Sequence, residues 1–228
     1  MIKRRETKQI SIGNIKIGGN APISVQSMCN TDTRDVEKTL AQINELAAAG
    51  CDIVRLAVLN KDAAESIKEI VKKSPVPLVA DIHFDYRLAI QCINNGINAL
   101  RLNPGNIGKR ENVEKVVSLA KQQKIPIRIG VNAGSLEKEL LDTDMPLSEK
   151  MVISAMKHIQ ILEDLNFDMI KVSLKSSDVL TTIEAYRSIA EKIPYPLHLG
   201  VTEAGTLRGG LIKSSVGLGT LLAEGIGD

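Results

Sequence analysis

The stretch ALRLNPGNIG, Ala99–Gly108, begins like a buried β-strand and stops at a Pro-Gly break. Arg101 stands inside it. A guanidinium within a sheet or barrel costs several kcal/mol unless an anion meets it. The pattern recurs along the chain. IVRLAV places Arg55 after two apolar residues, PIRIGVN does the same with Arg128, and MIKVSLK with Lys171. PLHLGVTE puts His198 at that place, and PLVADIHF carries Asp81 and His83 near its end. Side chains alternate between the two faces of a strand. Residues placed alike in successive strands therefore share one face, which in a barrel is the face toward the axis.

Seven short apolar segments read as strands: Ile23–Met28, Ile53–Val58, Pro77–Phe84, Ala99–Asn103, Pro126–Asn132, Met169–Leu174 and Pro196–Thr202. Helical periodicity fills the intervals, over Arg34–Ala49, Asp62–Lys73, Asp85–Asn95, Arg110–Gln123, Leu147–Leu165, Asp178–Lys192 and Lys213–Ala223. Asp35, Asp85, Ser148 and Asp178 suit helix starts, and Gly50 and Gly96 suit stops. Strand and helix alternating every 22–30 residues or so predicts a parallel sheet. The repeat predicts an α/β fold of the TIM (β/α)8 barrel type. No G-x-G-x-x-G follows a strand, so a Rossmann reading has no support. The segment Ala133–Pro146 reads as an insert with a short helix, and Thr7–Gly19 as a hairpin closing the lower end of the barrel. A closed barrel has eight strands. With seven counted by Asp228, the expectation is one substrate-binding barrel domain over residues 1–228, truncated before its eighth strand; a natural six- or seven-stranded variant is the rival.

The chain of 228 residues has 43% hydrophobic residues, no Trp, two Phe and three Tyr, which predicts an aliphatic core. A net charge of +2 argues against general nucleic-acid affinity. Lys3-Arg4-Arg5 reads as a solvated end rather than a targeting signal. No apolar run approaches the ~20 residues that span a bilayer, and a cytoplasmic location is expected. Cys29, Cys51 and Cys92 are too scattered for a disulfide framework or for a metal site of this chain's own, and read as small core residues.

Four inward cations with few inward acids call for a multiply charged anion, and an arginine fork suits phosphate oxygens. Barrel enzymes bind at the C-terminal ends of their strands. The expected ligand is a phosphate ester or diphosphate held by Arg55, Arg101, Arg128 and Lys171. Asn132 follows strand five, and the loop Asn103–Gly108 offers backbone N–H groups, though an ordinary tight turn reads equally well. Glu203, in VTEAG, is the acid placed at the mouth; it could hold or pass a proton, or simply pair with Arg208 or Lys213. Asp81 and His83 could orient a substrate hydroxyl or shuttle a proton. His158, on a helix, is given no role.

The stretches APISVQSMCNTDTRDV, ADIHFDYRLA, LRLNPGNIG, IRIGVNAGSL, IKVSLKSSD, PLHLGVTEAG and KSSVGLGTLLAEGIGD resemble the barrel of the 4-hydroxy-3-methylbut-2-enyl diphosphate synthase (IspG/GcpE) family, from about Arg4 onward. The resemblance implies an iron–sulfur oxidoreductase of the methylerythritol phosphate route to isoprenoids. Such an enzyme opens 2-C-methyl-D-erythritol 2,4-cyclodiphosphate reductively and removes water. Electrons come from ferredoxin or flavodoxin through a 4Fe–4S cluster. By motif, Arg55, Arg101, Arg128 and Lys171 resemble the diphosphate clamp with Asn132 assisting, Glu203 the acid/base, and Asp81, His83 and Asn103 further pocket residues.

The resemblance also implies a C-terminal cluster domain with three Cys and a Glu, which these 228 residues do not contain, and a head-to-tail homodimer. This chain alone is expected to be inactive. Thr206 replaces a glycine usual after EAG, and Cys29 a usual Thr; both look tolerable. Two other classes compete. One is a Schiff-base aldolase using Lys171, whose pKa neighbouring arginines would lower. The other is a non-catalytic phosphate-binding module. A pterin-type synthase barrel ranks lower, since nothing specifies a pterin pocket.

Overall fold

A computed structural model of the chain describes residues 2–228. The hairpin comes first: β1 (Ile10–Ile12) and β2 (Ile15–Ile17) pair antiparallel, Ile10 opposite Ile17. Six parallel strands follow: β3 (Gln26–Met28), β4 (Ile53–Ala57), β5 (Leu78–Asp81), β6 (Ala99–Arg101), β7 (Ile127–Asn132) and β8 (Ile170–Lys175). They lie side by side in chain order. Between and after them run α1 (Val36–Ala48), α2 (Lys61–Lys73), α3 (Tyr86–Asn94), α4 (Arg110–Gln122), α5 (Lys138–Leu141), α6 (Leu147–Asp164), α7 (Val179–Ala190) and α8 (Leu207–Ala223). This is the α/β barrel architecture that the repeat predicts.

Two aliphatic clusters show the strand alternation. Val54, Leu56, Leu100, Ile127, Ile129, Ile170, Val172 and Leu174 face outward and pack into the main core. Ile53, Val79 and Ala99 face inward at the lower end and meet Ile10, Ile12 and Ile17 of the hairpin. Ile12 and Ile17 are almost fully buried there. Burying each isoleucine contributes about 1.5–3 kcal/mol, so the hairpin is an apolar floor. One step up each strand, the interior changes from aliphatic to charged.

The helix starts at Asp35, Asp85 and Asp178 are as expected, each side chain accepting a first-turn N–H, and Gly50 and Gly96 end their helices at positive φ. Ser148 is a correction: α6 starts after Pro146, and the Ser148 hydroxyl instead donates to Glu184 at 3.1 Å. Helix α8 begins at Leu207, six residues before the expected Lys213, because Thr206 caps it by accepting from the Gly209 N–H.

Pro196–Thr202 is not a laddered strand. A single parallel bridge joins Val172 to Leu197, with the His198 N–H donating to the Val172 carbonyl at 2.8 Å. On the other side Asp228 donates its N–H to the Leu197 carbonyl and accepts the Leu197 N–H on its carboxylate at 2.9 Å. A segment held at so few points forms a bridge rather than a ladder. The basic N-terminus is also corrected. Arg5 donates to the carbonyls of Ala190, the last residue of α7, and of Ile193 and Tyr195 beyond it, and Arg4 pairs with Asp228 at 3.4 Å. The unsatisfied carbonyls at a helix end turn what reads as a solvated tail into a clamp.

Candidate functional site

The upper interior is built from inward positions spaced by two. These are Arg55 and Ala57 on β4, Asp81 on β5, Arg101 on β6, Arg128, Gly130 and Asn132 on β7, and Lys171, Ser173 and Lys175 on β8. In the ladder Asp81, Arg101, Arg128 and Lys171 stand at one level, each opposite the next. Arg55 is not at that level. It pairs with Val79, one layer lower, and its guanidinium reaches up to Asp81 at 3.7 Å. The equivalent placement read from the sequence thus holds for three cations, and strand stagger displaces the fourth.

Asp81 carries what neutralisation there is. Its oxygens lie 3.3 Å from Arg101 Nη1, 3.7 Å from Arg55 Nε and 3.4 Å from His83 Nε2. Arg128 is different. It is 3% exposed, its Nη1 donates to Ser173 at 3.3 Å, and its Nε and Nη2 have no partner among the described residues. Lys171, equally buried, has no carboxylate within ion-pair distance among the described residues. Buried N–H groups of a cation are rarely left without a hydrogen-bonding partner.

Burial and mutual repulsion act together on these cations. Loss of solvation, then the charges of Arg55 and Arg101, bring Arg128 down to about 9. Loss of solvation, then Arg128, bring Lys171 down to about 7. Lys175 also falls to about 7, from burial first and then Arg128, Arg55 and Arg101. The same causes, burial first, hold His198 well below its ordinary value, so it is neutral. Lys175 went unrecognised in the sequence. The signal was present, since Lys171, Ser173 and Lys175 keep the period of two in IKVSLK. A cleft of about 380 Å³ opens beside it, lined among others by Gln26, Lys175, His198, Gly200 and Asp228. The Gln26 carbonyl oxygen, Oε1, is buried without a partner among the described residues.

The remaining residues divide. Asn132 ends β7, half-buried and opposite Lys175. His83 is about half exposed beside Asp81. Asn103 is turned into the wall, its carboxamide bonded at both ends to Gly130. Glu203 is exposed at φ +48°, and among the described residues it makes no ion pair with Arg208 or Lys213; Lys213 donates to the Ser177 carbonyl instead. His158, on α6, accepts the Gly105 N–H at 3.2 Å and so pins the loop after β6. Cys29, Cys51 and Cys92 are buried free thiols, and burial pushes Cys29 up to about 11 and Cys92 to about 12. Among the described residues no group of three or more His, Cys, Asp or Glu could hold a metal ion. The residues present do not fit an iron–sulfur cluster.

The fold and site define a parallel α/β barrel whose interior carries a level of buried cations, two of which, Arg128 and Lys171, have no carboxylate within ion-pair distance among the described residues. Residues 7–228 match the GcpE TIM-barrel domain, and the chain belongs to that family. It is 61% identical over 226 residues to a Geobacter sulfurreducens protein named 4-hydroxy-3-methylbut-2-en-1-yl diphosphate synthase (flavodoxin), covering 99% of this chain and 64% of that one. A Clostridium perfringens protein of the same name is 60% identical over 228 residues, covering 100% of this chain and 65% of the relative. The chain therefore spans a little under two thirds of the length of these curated relatives. Among solved structures, wild-type HPPK-DHPS of Plasmodium falciparum superposes with a TM-score of 0.72 at 9% identity, over 97% of this chain and 46% of that one. The 3-dehydroquinate dehydratase of Geobacillus kaustophilus gives 0.61 at 17% identity, over 92% and 83%. At such identities these likenesses show the barrel fold alone.

Proposed function

We propose that this barrel holds the diphosphate of 2-C-methyl-D-erythritol 2,4-cyclodiphosphate, as part of an enzyme that reduces it to 4-hydroxy-3-methylbut-2-enyl diphosphate. That reaction takes up two electrons and two protons and releases water. The observation that carries the reading is the orphaned pair of Arg128 N–H groups beside an unpaired Lys171. Arg55, Arg101, Arg128, Lys171 and Asn132 bind diphosphate oxygens. Asp81 and His83 orient a substrate hydroxyl. Glu203 is the acid/base at the rim. Its left-handed backbone, costly for a residue with a Cβ, is the kind of strain that gathers at functional positions.

The names of the relatives support flavodoxin as electron donor, with ferredoxin the alternative. A 4Fe–4S cluster would take its ligands from outside these 228 residues. A covering domain or second subunit suits the rim, where Leu59, Phe84 and Leu207 are 75%, 77% and 93% exposed. A homodimer would supply such a cover. No helix of the described residues is long and apolar enough to cross a membrane, and the reading places the protein in the cytoplasm.

The test is calorimetric titration of the chain with the cyclodiphosphate, alongside Arg101→Ala and Arg128→Ala. Binding lost in both variants supports the reading. Equal binding by all three overturns it. One observation favours a second reading: Lys171, at about 7, is neutral often enough to attack a carbonyl. Borohydride trapping with a ketose phosphate decides that, and absence of an adduct at Lys171 removes the aldolase.

A further inference from the structure

We propose that Asn103 is a positioning residue, whose carboxamide brackets Gly130 so that the Gly130 carbonyl holds the Arg101 guanidinium toward the barrel axis. The proposal rests on the anion-binding reading of the cavity and departs from the expectation that Asn103 touches the ligand.

Three observations carry it. Asn103 is buried, its Nδ2 donating to the Gly130 carbonyl at 3.0 Å and its Oδ1 accepting the Gly130 N–H at 2.9 Å. Regular pairing of β6 ends at Arg101, followed by one more bond from the Leu102 N–H to Arg128, and Pro104 has no N–H to offer. The Asn103 side chain thus takes over the bonds that a longer β6 would make to Gly130, and fixes the orientation of that peptide.

The same Gly130 carbonyl accepts Arg101 Nη2 at 2.7 Å, so its two lone pairs serve Asn103 and Arg101 together. A Cβ built at position 130 would press on the Arg101 guanidinium at Nε and, at 2.8 Å, at Nη2, so a side chain there would have to push Arg101 aside. Arg101 lies against bare backbone, held by Gly130 on one side and by Asp81 at 3.3 Å on the other. Two of its five N–H groups are spent on the wall, and three remain for an anion.

The test is a double-mutant cycle read by affinity for inorganic pyrophosphate, with thermal melting as the control for folding. Asn103→Ala should weaken binding about tenfold in the wild-type background and leave it unchanged in Arg101→Ala, because the effect passes through Arg101. The same loss in both backgrounds would mean direct contact with the ligand, and no loss in either would mean no role; both results overturn the proposal. If Asn103→Ala does not fold, Gly130→Ala takes its place in the cycle. Its Cβ meets the flexible end of Arg101, and wild-type affinity in that variant overturns the proposal.

A ligand-free measurement separates this inference from the anion reading. In the wild type, the Arg101 guanidinium should give resolved, slowly rotating Nη proton signals by NMR, and Asn103→Ala should collapse them. Collapsed signals without pyrophosphate binding by any variant would support the positioning and overturn the anion site. Unchanged signals would overturn the positioning whatever binds.

Discussion

Arg128 and Lys171 stand opposite each other in the β7–β8 ladder, both buried, and neither has a carboxylate within ion-pair distance among the described residues. Two adjacent buried cations without a carboxylate in contact destabilise the fold. On the proposed reading, a multiply charged anion bound there would remove that cost. Stability and binding should therefore oppose one another at this pair.

Arg128→Met should make the ligand-free protein more stable, by about 1–3 kcal/mol, since an unpaired buried cation gives way to an apolar side chain of similar length. The same change should reduce pyrophosphate affinity about 100-fold. Chemical denaturation and calorimetry read the two effects. A variant that is destabilised without loss of affinity would make Arg128 a structural residue.

The lysines predict a pH dependence of definite sign. Lys171 and Lys175 both fall from 10.5 to about 7 on folding. From about pH 7 to about pH 10 the unfolded chain therefore binds more protons than the folded one, and stability rises with pH. Below about 7 both states are protonated and the full penalty is present. The slope should be about 1 kcal/mol per pH unit for each lysine, reduced by Lys171→Met or Lys175→Met. Bound pyrophosphate should flatten it and be accompanied by proton uptake near pH 8. Calorimetry in buffers of different ionisation enthalpy measures that uptake, and none at pH 8 would refute the assignment.

Glu203→Gly should stabilise the protein by roughly 0.5–1 kcal/mol, because the left-handed backbone at φ +48° costs glycine nothing. Pyrophosphate affinity should be unchanged, since the carboxylate is exposed and makes no ion pair among the described residues. Thermal melting and calorimetry check both, and a loss of stability would show that the Glu203 side chain anchors its loop.

Ile12→Ala should cost about 2–4 kcal/mol, as expected for truncating a fully buried isoleucine. Ile12 belongs to the floor beneath the charged row, in contact with Ile53, Val79 and Ala99 as one cluster. Urea denaturation measures this, and a cost below about 1 kcal/mol would mean the hairpin is dispensable.

Much of the barrel was legible because its signals are local. Apolar runs, N-caps such as Asp85 and stops such as Gly96 each act within a few residues, so the alternation of strand and helix reads directly from the chain. Ser148 misled because Pro146, two residues earlier, holds the N-cap position of α6. Pro196–Thr202 misled because a strand also needs neighbours, and its partners here are few. Lys175 was overlooked because it lies past the apolar part of β8, although it faces the same way as Lys171.

The sequence by itself determined which side chains face the axis, since a period of two needs no knowledge of neighbouring strands. It therefore placed Arg55, Arg101, Arg128 and Lys171 on the inward face. Only the tertiary structure decided their heights and partners. Register depends on pairing between residues far apart in the chain, and that pairing lowered Arg55 by one layer and set Asp81 between Arg55 and Arg101. It also left Arg128 with two orphaned N–H groups, and turned Asn103 away from the cavity to grip Gly130.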